Sequence, residues 1–74
     1  MTPGGAGRLA DFESFVAEQM PQLLGYAHAL TGERRHAEDL VQEALIRTGL
    51  AWHRVRRKDR PTAYVKTAIL RLRS

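Results

Sequence analysis

Two groups of residues in this 74-residue chain could do chemistry by their type and spacing. The first is Asp39, Gln42, Glu43 and Ile46. At roughly 100° of helical rotation per residue they share one side of a helix, with two carboxylates and an amide around a large aliphatic group. That patch offers no reaction. It suits docking, with acids for a basic helical partner and an isoleucine that sheds water on contact. The plainer alternative is a solvated helix face with one stray isoleucine, since single exposed apolar residues are common.

The second group is the run from His53 to Arg60, H-R-V-R-R-K-D-R. It carries Arg54, Arg56, Arg57, Lys58 and Arg60 within one short stretch. Guanidinium forks match phosphate oxygens and release counterions on binding, so the chemistry is polyanion contact. A loop can also pocket an unstacked single-stranded base, which a rigid helix does less well. Lys66 and Arg71, with Arg73, extend the same charge along the final segment. The alternative is a soluble, flexible connector. Trp52 and Tyr64 could stack a base, but both fall on apolar stripes and core packing is the expectation.

Catalysis finds no support. Ser14 has no nucleophile context, and no glycine-rich phosphate loop follows a strand. His28, His36 and His53 lack ligand spacing and there is no cysteine to join them, so neither a metal nor any other cofactor is expected. The chain reads as a non-enzyme.

Charge divides the sequence sharply. Up to Ile46 there are three Lys/Arg against seven Asp/Glu, whereas from Arg47 onward nine Lys/Arg meet only Asp59. The pI is about 10.4, which favours a polyanionic partner without requiring one. One surface is thus suited to a basic protein and another to nucleic acid. A hydrophobic content of 43% supports a core, although a domain this small buries only about 60% of its unfolded surface. No apolar run approaches the ~20 residues of a membrane span, and the N-terminus has no signal-peptide core. A cytoplasmic protein without membrane contact is the default.

The elements that position these groups are helical throughout. Residues 1–9 are Gly/Pro-rich and expected as a disordered tail, with residues 10–74 forming one helical domain. Asp11 is a candidate N-cap for a stripe through Phe12, Phe15, Val16, Met20, Leu23, Leu24, Ala27 and Leu30. Pro21 predicts a kink there, or two helices over about 11–19 and 21–30, and Gly32 predicts the stop. The next helix is expected over about 34–52, burying Ala37, Leu40, Val41, Ala44, Leu45, Thr48 and Trp52. Within it Gly49 costs ~1 kcal/mol of helix propensity relative to alanine. Pro61 suits the first position of a last helix with Tyr64, Val65, Ala68, Ile69 and Leu72 as its stripe. That pattern reaches Ser74 without a cap, as a piece of something longer would. The fold class is all-α, a small bundle of three helices, or four if Pro21 divides the first.

Taken together, these residues resemble region 2 of bacterial RNA polymerase sigma factors of the extracytoplasmic-function type. The resemblance covers about residues 12–70. It rests on L-T-G-E-R-R-H-A-E-D-L-V-Q-E-A-L from Leu30 to Leu45, on Trp52, and on D-R-P-T-A-Y-V from Asp59 to Val65. It implies docking of Asp39, Gln42 and Glu43 on the clamp helices of the polymerase β′ subunit, and Ile46 shares their face. It also implies capture of a flipped base of the promoter −10 element, on the non-template strand, by the segment from His53 to Arg60. Lys66 and Arg71 would stand nearby. Because that segment has no aromatic cluster, strand opening would rest on base capture and not on a wedge.

Two other readings remain open. One is a regulatory module that occupies polymerase, or an anti-sigma factor, without initiating transcription. The other is a duplex-DNA binder of helix-turn-helix type, which the long basic stretch in place of a tight turn disfavours.

Overall fold

The first apolar stripe folds as a helix longer than its own periodicity. The structure, a computed structural model, describes residues 3–58 and 60–73, and the side chains of residues 3–8 and of Lys58 lie outside the described set. Helix α1 spans Pro3–Thr31 without a break. Of the tail expected to be disordered, residues 3–9 are therefore helical, and residues 1 and 2 lie outside the described residues. Proline suits a first turn, whose N–H groups have no helical partner. Each residue added to an existing helix then gains a bond without a new nucleus. Asp11 stands inside the helix and is not its cap.

Pro21 also lies inside α1 and does not divide it. The 29 residues of α1, at ~1.5 Å each, make a rod about 43 Å long. The long axis of the molecule is 44 Å, so α1 runs along nearly all of it. Ala17 and Pro21 are both exposed, and water can bond the Ala17 carbonyl that the proline ring frees. On the opposite side Phe15, Leu23 and Ala27 are buried and hold both halves in line.

Gly32 ends α1 where expected, with φ of 71° and its N–H donating to the His28 carbonyl at 2.8 Å. A left-handed residue here is the ordinary glycine stop. Thr31 Oγ1 then accepts the Glu33 N–H at 3.3 Å and donates to the Glu33 carbonyl at 3.0 Å. Helix α2, Arg34–Leu50, follows at once. So short a link sends α2 back along α1, and Phe12 meets Gly49 at the far end.

The stretch from His53 to Arg60, expected as a loop, is mostly helical. It contains most of α3, Trp52–Val55, and a 3-10 turn over Arg56–Lys58. The reason is Val55, which is buried and pulls the segment onto the bundle. Helix α4, Pro61–Arg73, begins at the expected proline. Among the described residues there are four α-helices and no strand, an all-α fold. The fourth helix is α3, not a second half of α1.

Helix α2 lies between α1 and α4 and carries the core. Its expected stripe, Ala37, Leu40, Val41, Ala44, Leu45 and Thr48, is buried throughout. Val65 and Ile69 of α4 are fully buried against it, each contributing about 1.5–3 kcal/mol. Trp52 closes one end, with its ring 5.1 Å from both the Phe12 and Phe15 centroids. Its Nε1 is buried with no hydrogen-bond partner among the described residues, at a cost on the order of 1–3 kcal/mol that the aromatic packing must offset. Trp52 is core, as its stripe predicts. Tyr64 is not: it is 39% exposed, at the edge of the line through Val65 and Ile69.

Candidate functional site

Asp39, Gln42, Glu43 and Ile46 are all exposed on the side of α2 away from the core. The helix puts them there because the three- and four-residue spacing of its buried stripe leaves one contiguous outer face. Ile46 is 54% exposed, a large apolar side chain in water among acids.

The four do not act alike. Asp39, Gln42 and Ile46 line a groove of about 530 Å³ between α1 and α2. Its α1 wall is Phe12, Val16, Met20 and Leu24, and Glu38 stands beside Asp39 on the α2 lip. Asp39 has no ion-pair partner among the described residues, so its charge is available to a visitor. Glu43 faces away from the groove, its Oε2 accepting from Arg47 Nε at 3.2 Å. Glu38 is similarly held by Arg34 at 3.3 Å. Exposed pairs one helical turn apart contribute only ~0.3–0.5 kcal/mol, so either is readily exchanged for a better partner. An apolar floor with an acidic lip can seat an amphipathic helix carrying basic residues.

The basic side chains are spread over several faces. Arg54, Arg57 and Arg60 are exposed. Arg56 forms an ion pair with Asp11 of α1, Nε to Oδ2 at 3.2 Å, which ties the 3-10 turn down. Lys66 is half-buried, its Nζ 5.3 Å from the centroid of the Tyr26 ring. Arg60 and Arg71 line one elongated cavity from opposite ends, with Tyr64 between them. The Lys58 side chain lies outside the described set. Among the described residues no cluster of three or more His, Asp or Glu could hold a metal ion.

The acidic outer face on α2, followed by a pinned basic turn and a proline-started helix, has a known counterpart. The family model Sigma-70 region 2 matches residues 15–73, most of the chain. The chain belongs to the sigma-70 region 2 family. Region 2 is a non-enzymatic transcription-factor domain that binds RNA polymerase and takes part in promoter recognition. No curated protein matches the chain, and no solved structure does. Among the described residues no helix is long and apolar enough to cross a membrane.

Several residues around the sigma region 2 site escape sequence reasoning. The groove wall of Val16, Met20 and Leu24 reads as plain core in the stripe of α1, yet these side chains stay half-buried. Their register at the outer edge of that stripe is the available signal. Tyr64, expected in the core from the α4 stripe, is exposed instead. Arg47, at the edge of the outer face of α2, also lines a cavity with Tyr64 and Arg71, which sequence alone does not show. It is the first residue of the basic half of the chain.

Proposed function

We propose that this sigma region 2 domain is of the extracytoplasmic-function type and works in the cytoplasm in two steps. It docks on the β′ clamp helices of RNA polymerase through Asp39, Gln42, Glu43 and Ile46. It then holds the non-template strand of the promoter −10 element with its basic side chains. The observation that carries the docking step is Asp39, an exposed carboxylate on the lip of an apolar groove with no ion-pair partner among the described residues. A basic helix laid there would cover Ile46 and bring its charge to Asp39, and a charge-assisted hydrogen bond is about twice as strong as a neutral one. For the strand step, several exposed arginines in the basic half support phosphate contact.

The test is the double variant Asp39→Arg with Gln42→Ala. Both side chains are exposed, so circular dichroism and melting should match the unaltered chain within ~0.5 kcal/mol. Binding to a β′ clamp-helix fragment should be lost. Retention of that binding by the folded variant ends the docking assignment.

A further inference from the structure

We propose that the outer face shared by α1 and α2 is self-complementary and pairs with a second copy of this chain, turned end for end, in a weak twofold dimer. Such pairing is independent of the polymerase reading, although it covers the same groove. Three large apolar side chains in water point to it. Leu50, Leu9 and Ile46 are 83%, 61% and 54% exposed. They are not scattered. Ile46 borders the groove of about 530 Å³ between α1 and α2, and Leu9 and Leu50 line a cavity of about 190 Å³ beyond it. Phe12 lines both, so the two hollows make one apolar strip. On α1 the strip runs from Leu9 to Leu24, about 22 Å at ~1.5 Å per residue. Contiguous exposed apolar surface of this kind marks an interaction site.

Charge selects the occupant. At the Leu24 end stand Glu38 and Asp39, and at the Leu9 end stand His53 and, next to it along α3, the exposed Arg54. Glu38 is engaged by Arg34, whereas Asp39 and Arg54 have no ion-pair partner among the described residues. Counting back along both helices from the contact of Phe12 with Gly49 puts Ile46 level with Phe15 and Val16, near the middle of the strip. A strip that is acidic at one end, apolar in the middle and basic at the other is its own complement under a twofold rotation. Turning a second copy about an axis near Ile46 brings Asp39 of each chain toward Arg54 of the other and lays apolar surface on apolar surface. Pairing in the same direction would set acid on acid and base on base. Two helices side by side are about 20 Å wide, so the contact buries on the order of 900 Å² in total, which is the size of a transient interface. A groove reserved for a basic helix of another protein is the competing account. It uses the acidic end alone and gives Leu9, Leu50 and Arg54 nothing to do.

The experiment is sedimentation equilibrium of the whole chain at low salt, from about 10 μM to about 1 mM, the range in which a transient interface of this size is populated. The unaltered chain should pass from monomer to dimer, and added salt should favour the monomer. Leu50→Ser alters a side chain almost wholly in water, so it should keep the fold by circular dichroism and weaken dimerisation about tenfold or more. Asp39→Arg alone and Arg54→Glu alone should each weaken it by about 5- to 30-fold, because each sets two like-charged pairs in symmetric contact. Arg54→Glu also brings the net charge of +4 closer to zero, so a general charge effect would strengthen association instead. An equimolar mixture of the two variants should recover a mixed dimer, since every contact in it again joins opposite charges. A chain that stays monomeric at the highest concentration overturns the dimer and leaves the strip to a different protein. A dimer that tolerates Leu50→Ser and both reversals overturns this face as its interface. Failure of the mixture to recover overturns the end-for-end pairing.

Discussion

The ring of Phe12 lies 3.1 Å from the position that a Cβ would take on Gly49. That contact explains a glycine near the end of α2, where it otherwise costs helix propensity. The ring has little freedom to withdraw, because it packs edge-on against Trp52 at 5.1 Å. Alanine at position 49 would gain ~1 kcal/mol of propensity and spend it pushing the ring aside. Gly49→Ala alone should therefore be neutral or destabilising in urea unfolding. Combined with Phe12→Ala, the same change should stabilise relative to Phe12→Ala alone by about 0.5–1 kcal/mol. Simple additivity of the two changes would show that the contact does not matter.

On the proposed docking face, the ion pair of Glu43 sets an order among the acids. Asp39, on the groove lip, has no ion-pair partner among the described residues, while Glu43 is turned toward Arg47. Asp39→Asn should weaken binding to the clamp-helix fragment by about tenfold to a hundredfold, the worth of a charged hydrogen bond of ~1.5–3 kcal/mol. Glu43→Gln should weaken it less, since Glu43 must first release its own arginine. Titration of each variant against the same fragment reads the ranking directly, and a larger effect at Glu43 would reverse the assignment.

The residues themselves show how far the sequence alone could reach. The stripe of α2 was legible because burial on one face enforces a strict helical period, and every expected member from Ala37 to Thr48 is buried. Gly32 and Pro61 were legible because each fits one backbone role. Pro21 misled, since its local cost does not reveal that Ala17 would face water. The turn after α2 misled too: one valine, Val55, anchors what its arginines present as a loop. The outward side of Asp39, Gln42, Glu43 and Ile46 followed from periodicity. The groove beside them did not, because it needs α1 laid antiparallel along α2. The exposure of Tyr64 was not legible either, because it depends on how α4 is rotated against α2.

Thr48 is the one buried polar or charged residue among those described, fully covered, with Oγ1 donating to the Ala44 carbonyl at 2.7 Å. That carbonyl is also in reach of the Thr48 N–H within the helix, so the hydroxyl bond is an addition and not its only partner. Thr48→Val keeps the shape and leaves no acceptor stranded, and should change stability by less than about 1 kcal/mol. Thr48→Ser keeps the hydroxyl but deletes a buried methyl, and should cost about 1 kcal/mol or somewhat more. Thermal or urea unfolding of the two variants compares the terms. A valine variant clearly less stable than the serine variant would mean that the hydrogen bond outweighs packing here.

The ion pair between Arg56 and Asp11 makes a prediction that separates tethering from nucleic-acid contact. The two groups meet at 3.2 Å and each side chain is nearly half exposed. Solvent screens such a pair to at most ~1 kcal/mol, less at high salt. Asp11→Asn should therefore lower stability only slightly while freeing the Arg56 guanidinium. If Arg56 serves a phosphate, a single-stranded oligonucleotide should bind the Asp11→Asn chain more tightly than the unaltered one. Arg56→Ala should lose the same small stability and bind more weakly. If Arg56 is only a tether, both variants should show the same slight destabilisation and leave phosphate affinity where the one-unit charge change alone would put it. Melting curves and salt titrations on the two variants therefore answer the two questions independently, because the tether is common to both and the freed cation is present in only one.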